Sequence, residues 1–341
     1  MPSTQSIIDK IRADPKIPAP SQTVFRILEL TKDPNCSINQ VAHTVQRDSG
    51  LVAQLLREAN SALYGFNSPT SSIAEACMRL GMKRVRSAVI NRHVVDGLGR
   101  ARPAGFDSNR YWQSAFAMSV AGRDLAGKLL PETAEDAATA GLLCDIGIGL
   151  LAFGVPDIYR QVIAALSGPA PDSIQDIERR VLGVTHAEVG AAVLTDWKLE
   201  GHIIAGVQHH HTDARKIMAQ SAVSVHEGDV DGDDEARCRF SQIVAAAVTI
   251  SDIALNGSDM DRVGDLFDRI ESLSDDADAL VNRLLDKLVE HIQQSAESLS
   301  VEIGSVETMQ THFEDAVASL PNLENRMSYR PMTRDEITGE I

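Results

Sequence analysis

The sequence predicts an all-α fold, and three observations carry that reading. Apolar residues recur at helical spacing, and period-2 alternation is absent. Aromatic residues make up only 4% of the chain, so the usual strand signals are scarce. Helix starts are marked repeatedly by a hydroxyl residue followed three positions later by an acid or amide, a pairing that satisfies free N–H groups in the first turn.

Taken in order, Ser37-x-x-Gln40 opens one helix. Ser72-x-x-Glu75 opens another, carrying Ile73, Ala76, Cys77 and Leu80 before Gly81 stops it. Thr133-x-x-Asp136 precedes an apolar helix through "AGLLCDIGIG", and Thr185-x-x-Glu188 opens one with Val189, Val193 and Trp197. The turns "KDPNCS", "RDSG" and "YGFNSPTSS" separate the early helices. Glycine, proline and serine cluster between 97 and 108, which marks the end of an N-terminal helical subdomain, 1–108. A second helical block, 109–304, is broken by "SGPAPDS" and by the acidic stretch "HEGDVDGDDEA", 226–236. The C-terminal segment, 305–341, lacks an apolar face from about Pro321 and is expected to be loose there.

Composition narrows the function classes. Acidic residues outnumber basic ones 48 to 32, a formal charge of −16, which disfavours nucleic acid as a partner. The one dense basic patch, Lys83, Arg84 and Arg86 in "MKRVRS", reads as the solvated face of a helix. The four cysteines, Cys36, Cys77, Cys144 and Cys238, form no CxxC, and the N-terminal stretch has no apolar core of signal-peptide length. Both features point to a reduced, cytoplasmic chain. The best candidate for a membrane span, 137–155, contains Asp145 and reads instead as a buried helix. Asp229, Asp231 and Asp233 alternate as calcium ligands do, but Asp234 and Phe240 stand where an EF-hand loop needs glycine and glutamate. A solvated loop fits that stretch better.

The second block also holds a set of potential metal ligands. Asp145 follows Cys144 in an apolar helix. His186 lies in the first turn of a capped helix, "QHHHTD" offers His209, His210 and His211, and Asp252 interrupts "IVAAAVTISDIAL". A buried carboxylate requires a donor or a cation, so Asp145 and Asp252 are each expected to have one. Imidazoles and carboxylates converging from several helices are how helical bundles build metal centres. Each residue also has an ordinary reading: a helix-start histidine, a core-paired aspartate, a partly exposed helix end.

Several segments together resemble the HDOD domain family, a branch of the HD superfamily of metal-dependent phosphohydrolases. The likeness begins at "IPAPSQTVFRILELTKDP" and is most specific in "LLREANSALYGFNSPTSSIAEACMRLGMKRVRSAVI", in the Ala59-Asn60-Ser61 step, Tyr64-Gly65, Ser71-Ser72-Ile73, Ala76 and Leu80-Gly81. It continues through "YWQSAFAMSVAGRDLA", "AGLLCDIGIGLL", "VLGVTHAEVGAAVLTDWKL" and "GVQHHHTD", covering Ile17 to Asp213, with a weaker match to about Gly304.

The resemblance implies an HD-type helical bundle with an N-terminal helical subdomain. It also implies a ligand set. Ser114 stands at the superfamily's first histidine, with Gln113 one residue away. Cys144 replaces the histidine of the HD pair, and Asp145 is its aspartate. His186 matches the next position, two of His209 to His211 (assigned as His210 and His211) match the following pair, and Asp252 matches the last. A serine hydroxyl is a poor ligand, and a cysteine in an apolar helix favours the neutral thiol over a zinc-binding thiolate.

The expected site is therefore vestigial, with no catalytic residue assigned and no cofactor. The expected function is a non-catalytic regulatory module acting through signalling proteins, with ties to nucleotide second messengers, no nucleic acid partner and no membrane insertion. The alternative is a nucleotide or cyclic-dinucleotide phosphodiesterase using the retained residues and a divalent Fe, Mn, Zn or Mg ion. A third reading has the degenerate pocket bind a ligand without hydrolysing it.

Overall fold

The computed structural model describes residues 4–14, 17, 20–61, 68–98, 106–168, 172–212, 232–274, 276, 280–281, 288–294 and 305–327, and no strand occurs among them. The N-terminal helices are α1 (Thr4–Ala13), α2 (Gln22–Lys32), α3 (Ile38–Val45), α4 (Ser49–Ala59) and α5 (Ile73–Leu98). The central helices are α6 (Ser108–Leu129), α7 (Ala134–Leu143), α8 (Ile146–Gly154), α9 (Pro156–Leu166), α10 (Ile174–Leu182), α11 (His186–Asp196) and α12 (Gly201–His209). Then come α13 (Gly232–Asn256), α14 (Met260–Glu271) and α15 (Val306–Met327).

Local sequence accounts for most helix starts. Ser37 with Gln40, and Thr185 with Glu188, form complete reciprocal caps. Ser72 Oγ accepts from the Glu75 N–H, but the Glu75 carboxylate turns to Thr70 and Arg79. Asn60 explains part of the family-like step: its side chain bonds the Thr70 backbone in both directions, at 2.9 and 2.7 Å. Tyr64-Gly65 lies outside the described residues. Gly81 sits at φ 77°, ψ 166° and breaks α5, a conformation open to glycine and strained for other residues.

Four expectations about secondary structure require correction. Thr133 makes no side-chain cap, because Pro131–Thr133 forms a tight 3-10 turn in which its hydroxyl bonds the Leu130 carbonyl. The apolar run through Asp145 is two helices rather than one, broken at Cys144-Asp145. The helix-length apolar stretch Pro131–Gly154 and a second, Glu235–Asn256, are both mostly buried inside the protein over their most apolar residues. Part of the expected acidic loop is helical, since α13 opens at Gly232, while 226–231 lie outside the described residues. An acidic start suits a helix N-terminus, where the macrodipole favours negative charge. Finally, α15 runs through Pro321 to Met327, past the point where a loose tail is expected; 328–341 lie outside the described residues.

The apolar interior has two parts. One joins α1–α5 to α8–α11; the other is built by α13–α15; α6, α7 and α12 lie between and contribute to both. The seam runs along the end of α7: Ala140 and Cys144 face the second part, while Leu142, Leu143 and Ile146 face the first. The first helix of the 1–108 stretch packs on the central block: Ile7 and Ile11 are fully buried, Thr4 bonds the Gly183 carbonyl, and Arg12 forks onto Asp196 at 2.7 and 2.9 Å.

The "MKRVRS" patch is a buried ion-pair network, contrary to the solvated face expected of it. Arg84 and Arg86 are 8% and 7% exposed. Arg84 pairs with Glu58 of α4 and, at 2.8 Å, with Glu135 of α7, while Arg86 pairs with Asp136 of α7 and with Glu200 at the start of α12. Only Lys83 keeps an exposed position. Removing one partner from such a network leaves buried charge uncompensated. Arg84→Ala is therefore expected to lower unfolding stability by about 3–5 kcal/mol, read from urea denaturation, whereas Arg26→Ala, an exposed pair on α2, changes it by less than about 1 kcal/mol.

Candidate metal centre

The site is built around Glu178, which sequence reading does not single out. Glu178 is fully buried on α10. Its Oε2 accepts from the His186 backbone N–H at 2.8 Å and faces His186 Nδ1 at 2.7 Å, and its Oε1 accepts from Tyr159 Oη at 3.3 Å. These bonds fix the imidazole at the first position of α11. The available signal was positional: Glu178 lies on the same stripe of α10 as Ile174, Ile177 and Leu182, although Arg179 and Arg180 beside it suggest a solvated segment.

Asp145 precedes α8 but makes no capping bond, so its carboxylate is free to face the imidazoles. His186 Nε2 and His210 Nε2 lie 3.6 and 3.5 Å from Asp145 Oδ1. His186 Nε2 is 3.3 Å from His210 Nε2 and 3.1 Å from His211 Nε2. His210 ends α12, where its Nδ1 faces the Val207 carbonyl at 2.6 Å. The approach of α8 to α11 requires Gly147, because a Cβ there would lie 1.9 Å from the His186 carbonyl oxygen.

The electrostatics follow from this geometry. Burial acts to raise the Asp145 pKa, but the His210 hydrogen bond and the nearby imidazoles outweigh it and hold the group at about 2. Burial acts to lower His186, yet the hydrogen bond and charge of Glu178, with a further contribution from Asp145, raise it above its ordinary value. His211 stands at the outer edge of the cluster, where enclosure of its ring and the neighbouring His210 and His186 push it down to about 2.

The donor set fits one cation. The Nδ1 atoms of His186 and His210 both face acceptors that have no hydrogen to give, so in the neutral rings these atoms carry the hydrogen. Their Nε2 lone pairs then point at each other across 3.3 Å, an arrangement that needs a proton or a cation between them. Donors around a tetrahedral ion with bonds of about 2.0–2.1 Å stand roughly 3.3–3.4 Å apart, close to the spacings here. The Glu178–His186 contact is the carboxylate–histidine support typical of ligating imidazoles.

The other three expected positions lie outside this cluster. Ser114 Oγ is 3.2 Å from Ser251 Oγ and joins α6 to α13. Cys144 is fully buried in the second part of the core, where burial and then the Asp145 charge push its thiol well above the ordinary range. Asp252 is exposed and not buried as expected, because its turn of α13 meets solvent; it accepts from Asn256 Nδ2 at 3.2 Å. Burial of its carboxyl end raises its pKa, Arg262 opposes that, and the Asp145 charge adds to it, so the two aspartates sense each other. His209 remains outside the cluster.

With this geometry in view, comparison with known proteins is decisive for the family. The HDOD domain matches residues 17–213. The chain belongs to the HDOD domain family. An uncharacterised protein of Treponema pallidum (strain Nichols) is 26% identical to it over 211 residues, 60% of this chain and 39% of the relative, so the chain spans well under half of that protein's length. An HDOD domain protein of unknown function from Geobacter sulfurreducens superposes with a TM-score of 0.66 at 21% identity, covering 87% of this chain and 99% of the other. A candidate phosphohydrolase from Shewanella amazonensis SB2B superposes at 0.64 with 23% identity, covering 86% and 97%. These likenesses establish the HD-type helical fold implied by the resemblance.

Two outcomes test the site geometry. Gly147→Ala is expected to destabilise the protein by about 1–3 kcal/mol or more, seen as a lower thermal midpoint, because the clash is backbone against backbone. A thiol-alkylating reagent at pH 8 should modify Cys36 and Cys238 in the folded protein but spare Cys77, pushed up to about 11 by burial, and Cys144, with peptide mass mapping as the readout. Labelling of Cys144 as fast as Cys36 would contradict the buried placement.

Proposed function

We propose that this HDOD protein is a non-catalytic regulatory module, in which Asp145, His186, His210 and His211 form a closed polar hub rather than a hydrolytic centre. One observation carries the reading: four protein donors converge on one point, which fills a tetrahedral set, whereas a hydrolytic site must keep a position for water. The side chains at 114 and 144, where the resemblance calls for further nitrogen ligands, are committed to α13 and to the core. A divalent cation held by the four donors would supply charge neutralisation and a cross-link. The residues themselves do the positioning: Glu178 orients His186, the Val207 carbonyl orients His210, and Gly147 lets α8 approach. Signalling proteins are the proposed partners, and an acidic surface suits basic faces on them.

A metal-dependent phosphohydrolase is the second reading. It is favoured by the opening at Asp145, whose side chain keeps 18% of its surface exposed, and at His211 beside it. Lewis acidity from a bound ion is what that chemistry would need.

Metal analysis of the purified protein, followed by assay of bis(p-nitrophenyl) phosphate hydrolysis with added manganese, iron or zinc, separates the readings. The expected result is no turnover above that of Asp145→Ala under any metal. Metal-dependent turnover that disappears in Asp145→Ala would overturn the regulatory reading.

A further inference from the structure

A second group of ligand-type side chains lies away from the histidine cluster, where α5, α7 and α12 meet. Asp136 of α7, Glu200 just before α12 and His202 in its first turn place one donor atom each within 4.8 Å of one another. They line a pocket of about 370 Å³ that also touches Arg86, Thr133 and Phe240, with the exposed Lys83 and Arg237 at its rim.

Arg86 organises this group. It takes Asp136 Oδ1 with one nitrogen and Glu200 Oε1 with another. Each carboxylate then has its second oxygen free to turn toward His202, whose Nε2 is 3.2 Å from Asp136 Oδ2 and 3.7 Å from Glu200 Oε2. That nitrogen is shielded from solvent, with the Asp136 and Glu200 oxygens as its polar neighbours. The His202 ring is held edge-on to Phe240, with ring centres 4.9 Å apart. Two carboxylates share one guanidinium in a recess where Asp136 is only 4% exposed, and the remaining positive charges, Lys83 and Arg237, stand at its solvent edge. A carboxylate so deeply placed favours a further positive charge beside its inner oxygen.

We propose that Asp136, Glu200 and His202 form a divalent-cation site distinct from the histidine cluster. Two carboxylate oxygens and one imidazole nitrogen suit a borderline ion such as Zn²⁺ or Mn²⁺. Arg86 is the positioning residue: by holding the outer oxygen of each carboxylate, it presents the inner oxygens to the ion, as hydrogen-bonded carboxylates do in other metal sites. The open pocket leaves room for further ligands. Such an ion would join α7 to α12 directly above the arginine that anchors α5, so its binding would stiffen the joint between the N-terminal helices and the central block.

Equilibrium dialysis of the full chain against Zn²⁺, with bound metal counted by mass spectrometry, tests the site. Wild-type protein is compared with His202→Ala and Glu200→Gln, and folding is checked by circular dichroism. The expected result is one zinc equivalent fewer in His202→Ala, and at least about tenfold weaker binding of that same equivalent in Glu200→Gln. His210→Ala counts any ion in the histidine cluster separately, so the two sites succeed or fail independently. Equal stoichiometry and affinity in wild type, His202→Ala and Glu200→Gln would overturn the proposal and leave Arg86 and the rim cations to balance the carboxylates. Absence of bound zinc from all proteins would overturn it equally.

Discussion

Glu178 is a carboxylate without solvent, and such a group is tolerated only when its oxygens are fully engaged. Its bonds to the His186 backbone, the His186 ring and Tyr159 meet that demand. In doing so they determine where α11 begins, which way the first imidazole faces and how α9 and α10 lie against it. The inward aim of His186 Nε2 then selects the positions that Asp145, His210 and His211 occupy. Gly147 completes the arrangement by letting α8 come within backbone contact of His186. The cluster is thus the visible end of a chain of requirements that starts one layer deeper.

A comparable logic operates at the joint between the N-terminal helices and the rest. Arg84 and Arg86 lie two residues apart on α5, and their four acidic partners come from α4, α7 and the start of α12. An apolar contact at this joint would tolerate sliding. Buried charge pairs do not, because a shifted carboxylate loses its partner in a medium that cannot replace it. The two ends of the molecule are therefore registered against each other by charge as well as by packing.

Much of this was legible in the sequence, and the rest was hidden for identifiable reasons. The caps at Ser37 and Thr185 are local devices and formed as the spacing predicts. Thr133 did not, because Pro131 two positions earlier imposed a tighter turn. Asp145, His186, His210 and His211 stood out by residue type against apolar surroundings. Glu178 did not, since the exposed Arg179 and Arg180 disguise its face of α10. The burial of Arg84 and Arg86 was invisible because their partners are scattered over some 140 positions and meet only in the folded chain. Asp252 misled in the opposite sense: its apolar neighbours are buried, while its own turn of α13 reaches solvent.

The burial of Cys144 bears on which side chains this position can hold. Its small side chain fills space in the α6–α7–α13 interior, at a seam where its neighbours Leu143 and Ile146 face the other core. A histidine placed at that position would bring a larger ring, and nitrogens without partners, into an apolar interior packed around a thiol. A histidine there would therefore need compensating changes in the side chains packed around it.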